Sequence, residues 1–292
     1  MKNSRSTSPK KYFLIFAFVI FLCLSLGGIW LYLASKKSPF SSLSRENFVL
    51  VTSDKAVVVF SLQGKEGLIV SLPEKNLVKV TRGFGDYELG KVYFLGELES
   101  KGGLLIKETV QENFSIPVFG YFFDQKPLDY SLLNSKKFFY SIFWRAFKGN
   151  IKTDLNRLDL LLLCRQAIFL NQVQVVKDNL SSLEDSLFKD KKLRDEAFSL
   201  AVFNSTTHFG LAQQAAQLLI QSGARVVRVA DTEEKQSDCL IIADPGSSKT
   251  YTFFWLRTVF GCQVKESATK DKRAEFSLIV GERYWKKLSE KW

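Results

Sequence analysis

Apolar positions along the chain fall into three regimes. From residue 12 to 33 the sequence YFLIFAFVIFLCLSLGGIWLYL carries no charge and is dominated by Leu, Ile and Phe. A run of that length can cross a bilayer as a helix, and its residues favour insertion by roughly 4–8 kcal/mol. A cleaved signal peptide has a shorter apolar core, and Ala34-Ser35 is a poor cleavage site. The pattern predicts a transmembrane helix over 12–33, with a tail over 1–11 and a polar linker over 34–45.

Shorter apolar runs follow. Residues 47–52, 56–62 and 67–72 are near-continuous apolar stretches, which predicts strands buried on both faces. Gln63-Gly64-Lys65-Glu66 reads as a hairpin turn between the last two. The glycine-rich stretch 83–90 predicts a loop, and its spacing does not fit the dinucleotide fingerprint. Gly102-Gly103 opens an amphipathic helix through Leu105, Val110 and Phe114, and a strand follows at 120–123. Residues 126–148 interleave aromatics with bases, and a helix there places Tyr140, Phe143, Trp144 and Phe147 on one face. Such a helix either lies on a membrane surface through Phe143, Trp144, Phe147 and Lys148, or packs in the core with a basic rim. Thr153-Asp154 is the expected cap of an apolar helix over 155–170, and 172–176 alternates as a strand.

The third regime begins after the charged run 181–196, which reads as a linker with a short helix. Phe198, Leu200 and Val202 mark a strand; Asn204, Ser205, Thr206 and Thr207 offer N-caps. Leu211, Ala212, Ala215, Leu218 and Leu219 recur at helical spacing until Gly223, and a strand restarts at Arg225. That is one β-α-β unit. Further strands are expected at 238–243 and 278–281, with a helix over 251–260 capped by 245–250. The predicted fold class is therefore α/β: a transmembrane helix, a mixed-sheet domain over 46–180, a linker over 181–196 and a small β-α-β-based domain over 197–292.

Charge narrows the setting. Lys and Arg outnumber Asp and Glu 41 to 30, for a net +11, which favours anionic surroundings without selecting one. Lys2, Arg5, Lys10 and Lys11 precede the apolar run, against Lys36, Lys37 and Arg45 after it. The bias points the N-terminus into the cytoplasm and the two domains outside it, as a single-pass protein of the cell membrane. No basic, aromatic-lined strand surface marks a nucleic-acid binder, so nucleic acid is not an expected partner. The single histidine, His208, leaves no His-based metal cluster or Cys-His pair to assemble; it reads as a surface or cap residue. Cys23 and Cys164 read as small apolar side chains.

The order Val202-Phe203-Asn204-Ser205-Thr206, Gly210-Leu211-Ala212, Gly223, Cys239-Leu240-Ile241-Ile242 and Leu278-Ile279-Val280-Gly281 with Tyr284 resembles the C-terminal domain of LytR-type cell-envelope proteins (LytR_C). Ser205 departs from the Gly that family usually has after the Asn. Upstream, Ser53-Asp54, Val70-Ser71-Leu72-Pro73, Tyr93, Gly96, Leu104-Leu105, Thr109-Val110 and Ile116-Pro117-Val118 resemble the catalytic domain of the LytR-CpsA-Psr (LCP) family. The resemblance implies transfer of glycopolymers from a polyprenyl pyrophosphate to peptidoglycan, with Asp54 matching a metal-binding Asp. It also implies an Arg after Ser-Ile-Pro gripping the pyrophosphate, where this chain has Glu74 and Lys75. The family's Asn after the loop falls at Gly90, and the arginine-bearing second half is replaced by 126–148. The domain over 46–180 is thus a truncated, degenerate LCP-like sheet.

Two functions follow. The preferred one is a non-catalytic binding or scaffold protein of cell-wall assembly, without cofactor. Its partners would be the membrane and an anionic cell-wall polymer or envelope protein, with Asn204, Ser205, Thr206 and Thr207 as the candidate anion-binding residues. The rival is an active LCP phosphotransferase using Asp54 and Mg2+. Cys239 and Cys262 stand near the starts of two apparent strands joined by the helix over 251–260. A right-handed crossover puts those starts at one end of the sheet. Neighbouring strands would then bring the pair within bridging reach, whereas an intervening strand would not.

Overall fold

Period-two alternation along the first strands sends Val49, Val51, Val57, Val59, Leu68 and Val70 to one side of a sheet, where they pack with Leu105, Ile106 and Val110. Phe48 and Phe60 point to the other side, against Phe122, Phe138, Phe139 and Phe143. Both faces are therefore covered. The computed structural model describes residues 42–176 and 187–292, with Phe18, Ser38 and Phe40 besides. The expected tail, the membrane span apart from Phe18, half of the linker after it and 177–186 lie outside the described residues. Among the described residues no helix is long and apolar enough to cross a membrane.

The chain divides into two units, Met1–Ser42 and Leu43–Trp292. The second holds all the elements below. Its strands begin Arg45–Thr52 (β1), Val57–Gln63 (β2), Glu66–Leu72 (β3), Leu77–Val80 (β4) and Gly85–Glu88 (β5). Helices Val92–Glu97 (α1) and Gly102–Phe114 (α2) lead to Gly120–Asp124 (β6), then Lys136–Phe147 (α3), Lys152–Thr153 (β7), Arg157–Ile168 (α4) and Gln172–Val176 (β8). The second half runs Lys191–Glu196 (α5), Ser199–Asn204 (β9), Leu211–Gln221 (α6), Arg225–Asp231 (β10) and Leu240–Ala243 (β11). It ends with Tyr251–Phe260 (α7), Gln263–Glu266 (β12), Phe276–Val280 (β13) and Glu282–Ser289 (α8).

The first sheet has the order β7-β6-β1-β2-β3-β8 and the second β10-β9-β13-β11-β12. In the first, β1 and β2 pair antiparallel while β6 joins β1 in parallel. In the second, β11 lies beside β12 in parallel. The strands that start near Cys239 and Cys262 are thus neighbours with none between them, as bridging requires, and the two residues are disulfide-bonded with Cα atoms 4.9 Å apart.

Three local expectations are corrected. The stretch 83–90 is not simply a loop: Gly85–Glu88 pairs with Leu77–Val80 as a hairpin. The cap of α4 is Asn156, whose side chain accepts from the Asp159 N–H. Asp154 is drawn instead to the sheet edge, where it accepts from Tyr121 N–H at 3.0 Å and Lys107 Nζ at 2.8 Å. Finally, α6 starts at Leu211 with Gly210 as its N-cap and no side-chain cap, so Asn204 ends β9 and residues 205–207 form a loop before the helix rather than its first turn.

The two halves are fastened at two places. Helix α8 meets the β4–β5 turn through Arg82 N–H to Leu288 O at 2.8 Å. That approach needs Gly83, since a Cβ there would lie 2.4 Å from Ser289 O. Beside it Trp292 sits between Arg82 and Lys101, 4.7 and 4.6 Å from the ring centroid. At the other place the Tyr251 hydroxyl donates to Asp190 and accepts from Ser44 N–H at 2.9 Å.

Candidate functional site

In open α/β sheets, ligands bind outside the carboxyl ends of the strands. Here β1 and β6 end side by side, with Thr52 opposite Asp124. After Thr52 the chain turns tightly through Asp54 and Lys55 into β2, closed by Lys55 N–H to Thr52 O at 2.9 Å. The Asp54 carboxylate is exposed. It accepts from the Thr52 hydroxyl and, at 3.4 Å, from the Leu128 N–H. A hollow of about 280 Å³ lies beside it, lined by Thr52, Asp124, Leu128 and Arg145 among others.

Asp124 is buried, and Arg145 holds it with two parallel bonds of 2.5 and 2.7 Å. Such a fork matches both carboxylate oxygens at once. Glu74 stands in the next turn. Its carbonyl accepts from Gly90 N–H at 2.8 Å, and a Cβ on Gly90 would fall 2.6 Å from Lys55 O and 3.0 Å from Glu74 Cβ. Gly90 thus lets the Asp54 and Glu74 turns close on each other, and leaves no room for the Asn that the LCP resemblance places there. The rim gathers Asp54, Glu74 and Asp124 with Lys55, Lys126 and Arg145; its one arginine is already bonded to a carboxylate. This donor set does not suit a magnesium ion, because Asp124 faces a guanidinium and Asp54 is held by Thr52 and Leu128. Among the described residues no group of three His, Cys, Asp or Glu side chains is placed to hold a metal ion.

The second candidate region is the loop after β9. Asn204 Oδ1 accepts from the Thr206 N–H at 3.0 Å and its hydroxyl at 2.8 Å, while its amide donates to His208 O and Asp231. Ser205 donates to Val280 O at 2.8 Å and accepts from Gln236 N–H. The polar atoms of Asn204, Ser205 and Thr206 are therefore committed to shaping the loop, and Thr207 is exposed beside them. Sequence reading missed what the loop presents. His208 stacks on Trp285 with centroids 4.0 Å apart and bonds Glu282 at 3.1 Å, and Phe209 is 96% exposed. The separation of 74 residues between His208 and Glu282 left no local signal for that contact.

The helix expected to carry a membrane face splits its aromatics. Phe143 is wholly buried, at 6.0, 5.9 and 5.7 Å from the rings of Phe48, Phe60 and Phe122. It belongs to the core with Phe138, Phe139, Ile142 and Ala146, because the sheet offers a matching aromatic face. Trp144, Phe147 and Lys148 stay on the outside.

Buried carboxyls mark the joints. Glu46 is 2% exposed, and burial pushes its pKa up to about 8, with Asp190 adding to the shift and Gln166 opposing it. Burial likewise raises Glu112 to about 7, beside the Tyr284 hydroxyl.

Residues 197–284 match the family model of the LytR cell envelope-related transcriptional attenuator, LytR_C. That part of the chain is similar to LytR_C domains. It comprises the second sheet with α6 and α7 and stops within α8. The Bacillus subtilis protein TagT is 14% identical, with a TM-score of 0.34 over 47% of this chain and 79% of its own. TagU of B. subtilis is 10% identical, with a TM-score of 0.34 over 46% and 84%. A transcriptional regulator of Enterococcus faecalis is 13% identical, with a TM-score of 0.37 over 62% and 89%. No curated protein matches the chain.

Proposed function

We propose that this is a membrane-anchored, extracytoplasmic cell-envelope protein that binds or scaffolds and does not transfer glycopolymers. The LytR_C-like domain supports the envelope assignment, and the basic balance suits an anionic wall polymer as ligand. The observation that carries the non-catalytic reading is Arg145. Chemistry at a pyrophosphate needs positive charge aimed where negative charge accumulates. Arg145 is the arginine of this rim, and it is bonded through both nitrogens to buried Asp124. Releasing it would leave that carboxylate buried without its partner, at a cost of about 3–5 kcal/mol. Glu74 adds a second carboxylate where an anion would sit.

The test is incubation of the purified 43–292 unit with magnesium and a polyprenyl-pyrophosphate glycan. No turnover is expected. Turnover that disappears in Asp54→Ala would establish the phosphotransferase and overturn the scaffold. Placement is tested by protease added to intact cells, which should degrade the C-terminal portion; protection until the membrane is broken would reverse the orientation.

A further inference from the structure

Helices α3 and α4 pack side by side over the Phe48–Phe60 face of the first sheet. They run antiparallel, with Lys136 Nζ near the start of α3 bonded to Ile168 O at the end of α4, 3.4 Å away. Their inner faces are closed by Phe138, Phe139 and Phe143 on one and Leu160, Leu163 and Ala167 on the other. The outer stripes differ from an ordinary solvated surface. On α3 the rings of Tyr140, Trp144 and Phe147 stack in series, with centroids 6.2 and 5.5 Å apart. The Lys148 ammonium lies 5.1 Å above the Trp144 ring. Along α4 and just past its end, Leu161, Ile168 and Phe169 are 39%, 53% and 59% exposed.

Charge on this face has one sign. Lys136, Lys137, Lys148, Arg157 and Arg165 are exposed around the apolar stripe. The acid in the two helix sequences, Asp159, is buried.

We propose that the α3–α4 face docks on an anionic lipid surface, with the bases at the phosphate headgroups and the apolar stripe in the interfacial layer. Aromatic and aliphatic groups framed by bases are the composition that lies in that layer. A soluble polyanion would engage the cations alone and leave Leu161, Ile168 and Phe169 in water. Entering the interface removes their apolar area from water. The stacked rings are already ordered, so docking them sacrifices little side-chain freedom. This inference goes beyond the proposed function and does not depend on it, since it uses neither the anchor nor the LytR_C-like domain.

The experiment sediments the 43–292 unit, which contains both sheets and both fastenings between them, with lipid vesicles. Retention is expected on phosphatidylcholine vesicles containing phosphatidylglycerol and not on phosphatidylcholine alone. A base near an anionic surface strengthens binding about fivefold, so Lys148→Gln, Arg157→Gln and Arg165→Gln together should weaken it about a hundredfold. Ile168→Gln with Phe169→Gln, at unchanged charge, should also weaken it. All these positions are exposed, and an unchanged circular dichroism spectrum and melting midpoint verify the fold. Absence of retention on anionic vesicles overturns the proposal. So does retention indifferent to Ile168→Gln and Phe169→Gln and abolished by soluble polyphosphate, which would assign the face to a polyanion.

Discussion

Phe143 and Trp144 are neighbours in sequence with opposite fates, and replacing each by alanine measures the difference. Phe143 is fully buried among Phe48, Phe60 and Phe122. Truncating a buried Phe costs about 3–5 kcal/mol. Three ring partners, each worth roughly 0.5–1.5 kcal/mol beyond area, place Phe143→Ala toward the upper end, at about 4–5 kcal/mol. Trp144 is half-buried and loses its stacking on Tyr140 and Phe147 and the Lys148 ammonium over its ring, all at the surface, so Trp144→Ala should cost about 1–2 kcal/mol. For a unit of this size each kcal/mol moves the midpoint by about 2–4 °C. Phe143→Ala should therefore melt about 10–20 °C lower, and Trp144→Ala only a few degrees. Urea denaturation of the 43–292 unit, followed by far-UV circular dichroism, gives both values. Equal costs for the two variants, or a larger one for Trp144→Ala, would refute the inward assignment of Phe143.

Three further outcomes are expected. Glu46 is raised to about 8 by burial, against about 4.3 in an unfolded chain. The folded state then binds more protons between those values, and stability falls as pH rises through the window. Glu46→Gln should flatten that decline, so an unchanged stability-versus-pH curve would contradict it. The Cys239–Cys262 bond closes a separation of 23 residues, worth about 3 kcal/mol; Cys262→Ser should lower the urea midpoint accordingly, and a midpoint insensitive to reductant in the wild type would refute the bond. Gly83 has φ +68, and an added Cβ meets Ser289 O. Gly83→Ala should cost roughly 1–3 kcal/mol and accelerate amide exchange in Glu282–Ser289; unchanged protection there would show that the fastening does not need the glycine.

Local pattern was enough for the elements whose cause is local. Continuous Val, Leu and Phe runs define β1, β2 and β3, since only sheets covered on both faces bury every residue of a strand. The spacing of Leu211, Ala215, Leu218 and Leu219 defines α6, and the order of short motifs through Tyr284 was sufficient to identify the LytR_C-like domain. Chemistry that depends on residues far apart was not legible. Asp124 meets Arg145, Asp190 meets Tyr251 across 61 residues and Glu112 meets Tyr284 across 172; none leaves a periodicity, because each is created when separate layers pack. The same holds for Asn204, which looks like a helix cap in sequence. Its role changes because the chain runs on to Gly210 before coiling, and tertiary partners such as Asp231 take its polar atoms first. For Phe143 the sequence determined that it lies on an amphipathic helix; only the position of Phe48, Phe60 and Phe122 on the sheet decided that its side of the helix faces inward.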